Sequence, residues 1–417
     1  ANTDAPPDSL PAVYLRPSDV ERVLLGHPWV YEGAVDHVTQ APKDGDMVQV
    51  KDLRRRFLGV GCYNSRSKIR VRLLATERVE LDDRFFAGRL AAAVEHRRRF
   101  LPAATSCRLV NAEGDRLSGL IVDRYEDVLV MQTSSLGMEQ RKPMLVRLLQ
   151  ELVRPRAIVE RSDTAARRFE GLEPAEGLLA GTLGEGELEA LPVRLNGLPF
   201  RANLAAGHKT GLYLDQQENH ARVASFAAGA RVLDCFSFAG GFALHAARAG
   251  AVEVTGVEQS AEAVAQAERG AQENGVADRC RFVTANVFDW LREATAAPPH
   301  EQVVPRYDLV ILDPPSFTRT RSAVPDALRG YKEIHLRALK LVRSGGILAT
   351  FCCSHHVPGA LFESVIVEAA RDARRPLRRG GGYAPAPDHP VLPAVPETED
   401  PKEPEPVTCF AIGRPPG

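Results

Sequence analysis

Long apolar runs are missing from this 417-residue chain: nothing approaches the ~18 uninterrupted apolar residues that a membrane-crossing helix needs. Paired cysteine spacings are missing too. The seven cysteines (Cys62, Cys107, Cys235, Cys280, Cys352, Cys353 and Cys409) are odd in number and contain no CxxC. That argues against a disulfide framework and a structural zinc site, so no metal is expected and a reducing cytoplasm is the natural setting. Residues 1–10 lack the basic stretch and apolar core of a secretory signal, and a start without Met reads as a trimmed terminus. Charge of one sign is not in excess either. A net charge of −1 gives no support of its own to a nucleic-acid partner, although local fields decide binding. What is present is a 44% hydrophobic share, ample for a core and incompatible with global disorder. The length favours two or three domains.

Basic residues concentrate early. Between positions 51 and 78 there are nine (Lys51, Arg54, Arg55, Arg56, Arg66, Lys68, Arg70, Arg72 and Arg78) against two acids, Asp52 and Glu77. The surrounding pattern is strand-like over 47–50, 57–63 and 68–74, and Ile69, Val71 and Leu73 alternate with Arg70 and Arg72. This reads either as a solvated strand face or as a phosphate-facing surface on a small β-domain. A middle region follows, with helices over 85–100 and 138–153 and strands over 117–122 and 128–132. Asn196-Gly197 then signals a hairpin. From about 228 the rhythm becomes strand and helix in alternation, with strands over 231–236, 252–258, 280–287, 307–314 and 346–352. Helices are expected over 239–249, 261–274, shortly after 288, and over 327–342. That pattern predicts an α/β fold with a parallel sheet, whose ligands sit at the carboxyl ends of the strands. Residues 397–406, acidic and proline-rich, read as an exposed loop before a final strand at 407–412.

Three motifs fall at those strand ends. The first, at 232–241, runs from a strand through Phe236, Ser237, Gly240 and Gly241 into a helix, where backbone N–H groups approach a ligand closely. Glu258 ends the next strand, where an acid accepts hydrogen bonds from ribose hydroxyls. There is no GxGxxG, so S-adenosyl-L-methionine, an adenosine ligand without pyrophosphate, fits better than a dinucleotide. The second is Asp313-Pro314-Pro315-Ser316-Phe317: two prolines fix a rigid turn against which a flat base can lie, its polar edge meeting Asp313. The third is Thr350-Phe351-Cys352-Cys353-Ser354. Strand alternation puts adjacent residues on opposite faces, so at most one of the two thiols faces the cleft, as a nucleophile for a pyrimidine ring. A buried structural cysteine is the alternative. His355 and His356 follow, as solvated loop histidines or as groups that raise the thiolate fraction or bind RNA.

With further segments, these motifs resemble the bacterial large-subunit (23S) ribosomal RNA cytosine-5 methyltransferases that carry an N-terminal PUA domain. The added segments are His-Pro-Trp-Val-Tyr at 27–31, Gly-His-Lys-Thr-Gly-Leu-Tyr-Leu-Asp-Gln at 207–216, Arg-Gly-Tyr-Lys at 329–332 and Asp-His-Pro at 388–390. The resemblance covers nearly the whole chain. It implies a β-rich PUA domain (10–80), a small α+β central domain (81–205) and a Rossmann-like class I methyltransferase domain (206–417). It implies Cys353 as the catalytic nucleophile and Asp313 as the group holding the base, with Pro314, Pro315 and Phe317 against the substrate. Cofactor contacts are expected from Phe236, Ser237, Gly240, Gly241, Glu258, Asn286, Asp313, Lys209, Asp215 and Gln216. RNA contacts are expected from Arg54, Arg55, Arg56, Lys68 and Arg70. Two departures stand out: Asn286 where an acid for adenine is common, and the inserted 397–406. The expected reaction is methylation of cytosine carbon 5 in ribosomal RNA by a cytoplasmic enzyme that is a possible homodimer. The rivals are an exocyclic-amine RNA methyltransferase that needs no cysteine, and a non-catalytic RNA-binding assembly factor.

Overall fold

A computed structural model describes residues 10–205, 210–296, 303–318, 320–354, 356–383, 386–392 and 407–412, with the main chain alone for 381–383 and 407–412. Lys209, His355 and the 397–406 segment lie outside the described residues. The rest forms two compact units. The first falls within Ala1–Arg194, Ala202–Leu214 and Pro387–Pro396, and the second within Leu195–Arg201, Asp215–Ala386 and Glu397–Gly417.

In the first unit, β1 (Ala12–Leu15), α1 (Pro17–Leu24), β2 (Trp29–Tyr31), β3 (Val35–Val38), β4 (Met47–Asp52), β5 (Phe57–Tyr63) and β6 (Ile69–Ala75) come first. The six strands pair in the order β2-β6-β5-β4-β1-β3. Their alternation does the folding: Val48, Val50, Leu58, Val71 and Leu73 are buried on one core with Val13 and Leu15. Next come α2 (Asp83–Phe100), β7 (Ser106–Asn111), β8 (Leu120–Tyr125), β9 (Val128–Thr133), α3 (Leu136–Gln140), α4 (Lys142–Val153), β10 (Ala157–Ser162), α5 (Ala166–Phe169) and β11 (Ala175–Gly181). They build a sheet in the order β11-β10-β9-β8-β7. The helix expected over 138–153 is broken between α3 and α4, because Pro143 cannot donate to the Glu139 carbonyl one turn back. One core joins the two sheets: Val60, Cys62 and Leu74 pack in the same cluster as Leu90, Leu120 and Leu145. Residues on either side of the sequence boundary at 80/81 therefore share a single compact unit.

After α6 (Glu187–Ala190), the hairpin β12 (Leu191–Leu195) and β13 (Leu198–Ala202) turns at Asn196 and Gly197. Both turn residues have positive φ (50° and 83°), as a two-residue hairpin demands.

The second unit contains α7 (Gln217–Ala224), β14 (Arg231–Cys235), α8 (Gly241–Arg248), β15 (Glu253–Glu258), α9 (Ala261–Glu273), β16 (Cys280–Thr284), α10 (Val287–Ala294), β17 (Tyr307–Leu312), α11 (Val324–Leu341), β18 (Val342–Thr350), α12 (Gly359–Asp372), β19 (Leu377–Tyr383) and β20 (Val407–Ile412). The strand order is β16-β15-β14-β17-β18-β20-β19. β14 to β18 run parallel, and β20 is antiparallel to both its neighbours. Strands covered on both faces read as continuous apolar runs, and residues 309–312 are indeed fully buried. The chain leaves β14 toward β15 on one side, and β17 lies on the other. The strand order therefore reverses beside β14, and a crevice opens there at the carboxyl ends.

Candidate active site

The loop leaving β14 is strained. Phe236 (φ 63°) and Phe238 (φ 45°) both occupy the left-handed region, a cost of about 1–3 kcal/mol each for a bulky residue. Gly240 follows at φ 81°, and a Cβ there would stand 3.1 Å from the Ala267 side chain. Gly241 is constrained by packing: a Cβ would meet the His220 ring at 2.7 Å. Surrounding hydrogen bonds hold the curl. Phe236 and Ser237 both donate their N–H to the Val257 carbonyl (2.9 and 3.2 Å). Such strain persists only where surrounding contacts over-determine it, and it collects at ligand sites.

Three carboxylates converge on this loop. Asp234 is fully buried, with Oδ2 accepting from the Ala243 N–H (3.0 Å). Among the described residues its Oδ1 has no partner, nor has the buried Ser237 hydroxyl. Glu258 is held by two main-chain donors, Phe238 N–H (3.1 Å) and Ser260 N–H (2.9 Å). Asp313, half-buried just past β17, accepts from the Gln216 amide (3.4 Å), whose own oxygen accepts from Asn219 (2.7 Å). Burial pushes the Asp234 carboxyl well above its ordinary value, and the charges of Asp313 and Glu258 push it further. A pocket with this electrostatics prefers a cation. It suits a ligand with sulfonium and ammonium groups, and would repel a pyrophosphate.

The double-proline turn meets the cysteine pair. Pro314 is buried and Pro315 exposed. The exposed Cys353 directs its thiol to the Pro314 carbonyl at 3.3 Å. Cys352 is 3% exposed and points to the Tyr331 hydroxyl, 3.7 Å away. One thiol faces in and one out, but strand alternation is not the reason: β18 ends at Thr350, and both Phe351 and Cys352 are buried. Behind them, Tyr331 on α11 contacts the Ser354 hydroxyl (2.6 Å), which contacts Ser316 (3.0 Å). The Ser316 hydroxyl in turn donates to the Thr318 carbonyl (2.7 Å). Phe317 packs on the Tyr331 ring at 4.6 Å between centroids, tying the turn to α11.

Residues 13–76 match a PUA-like domain family, and residues 175–378 match a family of S-adenosylmethionine-dependent methyltransferases. The chain is 38% identical over 389 residues to the ribosomal RNA large subunit methyltransferase I of Alteromonas mediterranea, covering 92% of this chain and 96% of that one. It is 35% identical over 392 residues to the protein of the same name from Photobacterium profundum, covering 93% and 96%. The chain belongs to the ribosomal RNA large subunit methyltransferase I family. Two solved structures share its fold at a TM-score of 0.78. One is described as a SAM-dependent methyltransferase from Streptococcus mutans (19% identity, 96% of this chain and 100% of that one). The other is a methyltransferase complexed with SAH (20% identity, 96% and 99%). The protein is thus an S-adenosylmethionine-dependent methyltransferase with a PUA-like N-terminal domain, and the orphaned polar atoms and acidic pocket fit that cofactor.

The structure gathers Phe236, Ser237, Gly240, Gly241, Glu258, Asp313, Pro314, Phe317 and Cys353 around the carboxyl ends of the parallel strands in this family member. Gln216 joins them through Asp313, and Asp215 lies one residue before it, also buried. Asn286 is placed differently from a free adenine reader. Its Oδ1 caps α10, accepting from Phe288 N–H (3.0 Å) and Asp289 N–H (3.4 Å), so only its amide N–H₂ remains to meet a base edge. The basic set also divides. Arg54, Arg55 and Arg56 sit in the turn before β5, whereas Lys68 and Arg70 lie in or after the turn that follows it. At ~3.3 Å per residue those turns are roughly 20 Å apart, so nearness in sequence does not become one face. Several of the charges are already paired, Arg56 with Asp52 (3.1 Å), Arg70 with Glu32 (3.2 Å) and Arg72 with Glu113 (3.3 Å) and Glu170 (3.0 Å).

Sequence reasoning did not single out Asp234, His220 or the Tyr331–Ser354 pair as site residues. A lone acid inside an apolar strand was the available signal for Asp234. Its raised proton affinity has a consequence for stability. The folded state binds this proton more tightly than the unfolded chain, so the protein loses stability as pH rises from about 4 through the raised value. Asp234→Asn keeps the bond to Ala243 and cannot ionise, so the loss of stability that Asp234 contributes as pH rises should be absent in the variant. Thermal melts should show a higher midpoint at pH 8 with a smaller gain at pH 5, while calorimetry shows weaker cofactor binding. Equal or lower melting temperature would mean that Asp234 is not ionised and uncompensated in the folded protein.

Proposed function

We propose that this protein methylates carbon 5 of a cytosine in large-subunit ribosomal RNA through a covalent adduct with Cys353. One observation carries the reading: an exposed thiol stands 3.3 Å from the Pro314 carbonyl, on the same rim as Asp313. The names of the curated relatives support the choice of RNA. Carbon 5 of cytosine is a poor nucleophile within an aromatic ring. Addition of the Cys353 sulfur to carbon 6 breaks that aromaticity and makes carbon 5 enamine-like. Asp313 holds the ring edge and stabilises the proton on ring nitrogen 3, a charge that grows as the adduct forms. Bound S-adenosylmethionine supplies an electrophilic methyl group. Once carbon 5 is methylated, loss of its proton returns the electron pair to the ring and expels the Cys353 thiolate. No metal is needed, and a reducing cytoplasm would keep the thiol free.

In the same reading Glu258 takes the ribose hydroxyls with the oxygen lone pairs that Phe238 and Ser260 leave open. Asp234 and the 236–241 loop receive the methionine part, and the Asn286 amide donates to adenine. By the family resemblance, the segment that carries Lys209, Asp215 and Gln216 would close over the cofactor or the substrate. In this reading the 10–80 and 81–205 regions together serve RNA capture, and the 206–417 region carries the chemistry.

The experiment is incubation with cofactor and 5-fluorocytidine-substituted ribosomal RNA. Fluorine cannot leave as the proton does, so a denaturation-resistant protein–RNA complex should accumulate with wild type and be absent with Cys353→Ala. Methylation of ordinary RNA without any trapped complex would favour direct attack by an exocyclic amine.

A further inference from the structure

The most exposed large apolar side chain among the described residues is Phe169, at 73%. A single exposed apolar residue is ordinary on a protein surface. Its setting is not. Phe169 closes the single turn of α5, whose flanking residues are anchored deep in the first unit. On one side the buried Arg167 donates to the Thr133 carbonyl (2.7 Å), the Glu173 carbonyl (2.7 Å) and the Glu139 carboxylate (2.8 Å). On the other, the buried Glu170 accepts from Ser67 (2.7 Å), Asn64 (3.0 Å) and Arg72 (3.0 Å). The intervening pair, Arg168 and Phe169, is held out to solvent on a rigid base.

Those anchors also choose the neighbours. Asn64 and Ser67 belong to the turn between β5 and β6, so Glu170 clamps that turn against α5. Arg66 lies across Gly171, where an added Cβ would come within 2.9 Å of its Cδ. The Arg66 side chain is 70% exposed, with Asp44 3.6 Å away as a loose partner. Lys68 and Arg168 are exposed and make no ion pair among the described residues. Three cations thus lie on the two segments that Glu170 clamps together, Arg168 next in sequence to the outward-facing ring and Arg66 and Lys68 on the facing turn.

We propose that Phe169, with Arg66, Lys68 and Arg168, forms a stacking platform for an unpaired base of the RNA substrate. The cations hold the phosphates on either side of that base. The inference rests on the ribosomal RNA reading above and adds a second contact to it. A paired A-form helix hides its base faces, so a protruding ring with cations on its own and the facing segment suits a single-stranded segment or a bulge. An apolar protein partner would gain little from those three charges.

The test compares Phe169→Ala, Phe169→Trp, Phe169→Leu and Arg168→Ala in RNA binding across a salt series. The RNA is a single-stranded ribosomal fragment. Calorimetry with S-adenosylmethionine and thermal melts serve as controls for folding. Phe169→Ala should weaken RNA binding about 5- to 100-fold, the range for losing one stacked base. Phe169→Trp should retain affinity and Phe169→Leu should not. Arg168→Ala should lower the slope of log affinity against log salt by roughly 0.7, one phosphate contact. Wild-type affinity in Phe169→Ala would overturn the platform, and full affinity in Phe169→Leu would overturn stacking as its contact with the RNA. Absence of RNA binding by wild type would sink the ribosomal RNA reading itself, a result distinct from either.

Discussion

Cys353→Ala should abolish methyl transfer, lowering the rate by roughly 10⁴–10⁶-fold, the scale of loss when a nucleophile is removed from a covalent mechanism. The geometry makes the expectation specific. Cys353 is exposed and its sulfur meets the Pro314 carbonyl, whereas Cys352 is enclosed and meets Tyr331. Cofactor affinity should be unchanged in Cys353→Ala, because the strained loop and the Glu258 carboxylate do not depend on that thiol. Cys352→Ala should do the reverse: activity survives, and the loss appears as a lower melting temperature from a small cavity in the core around Phe362 and Leu348. Rapid-quench kinetics with labelled cofactor decides between them. Retention of a tenth or more of wild-type activity in Cys353→Ala would leave no role for an adduct.

Asp313→Asn is expected to lower kcat about 10²–10³-fold, comparable to removing one group that stabilises developing charge. Asn has the same shape and can still engage Gln216, so what is lost is the negative charge beside ring nitrogen 3. The substitution also relieves Asp234, because Asp313 is among the groups that push that carboxyl upward. Asp313→Asn should therefore lower the Asp234 proton affinity and make stability less sensitive to pH. Steady-state kinetics separates the two roles expected of Asp313. A drop in kcat with little change in the cofactor KM fits a group that acts on the base. A raised cofactor KM with kcat intact would confine Asp313 to cofactor binding.

Much of the methyltransferase sheet is legible in the chain because strands buried on both faces are short apolar runs that punctuation isolates. β5 is bounded as its alternation predicts, and β14, β15 and β17 fall within a few residues of the expected ends. Strand ends next to glycine and proline are legible for the same local reason, and they brought Phe236, Gly240, Glu258, Asp313 and Pro314 into view. Periodicity carries no information about what stands opposite in space. Asn286 is visible as a polar residue after a strand, but its work as the cap of α10 depends on where that helix begins. The basic run looks continuous along the sequence, and the turns of a β-sheet separate its members.

The amino-acid order by itself determined the alternation of strand and helix that implies a parallel sheet, the positions of the three motif turns and the presence of two adjacent thiols at one strand end, since each is written in residues close in the chain. Tertiary structure alone decided which thiol faces outward, why Asp234 resists ionisation and how Glu170 ties α5 to the turn between β5 and β6. Those outcomes depend on burial and on charges brought together from distant segments, and neither exists until the chain has packed.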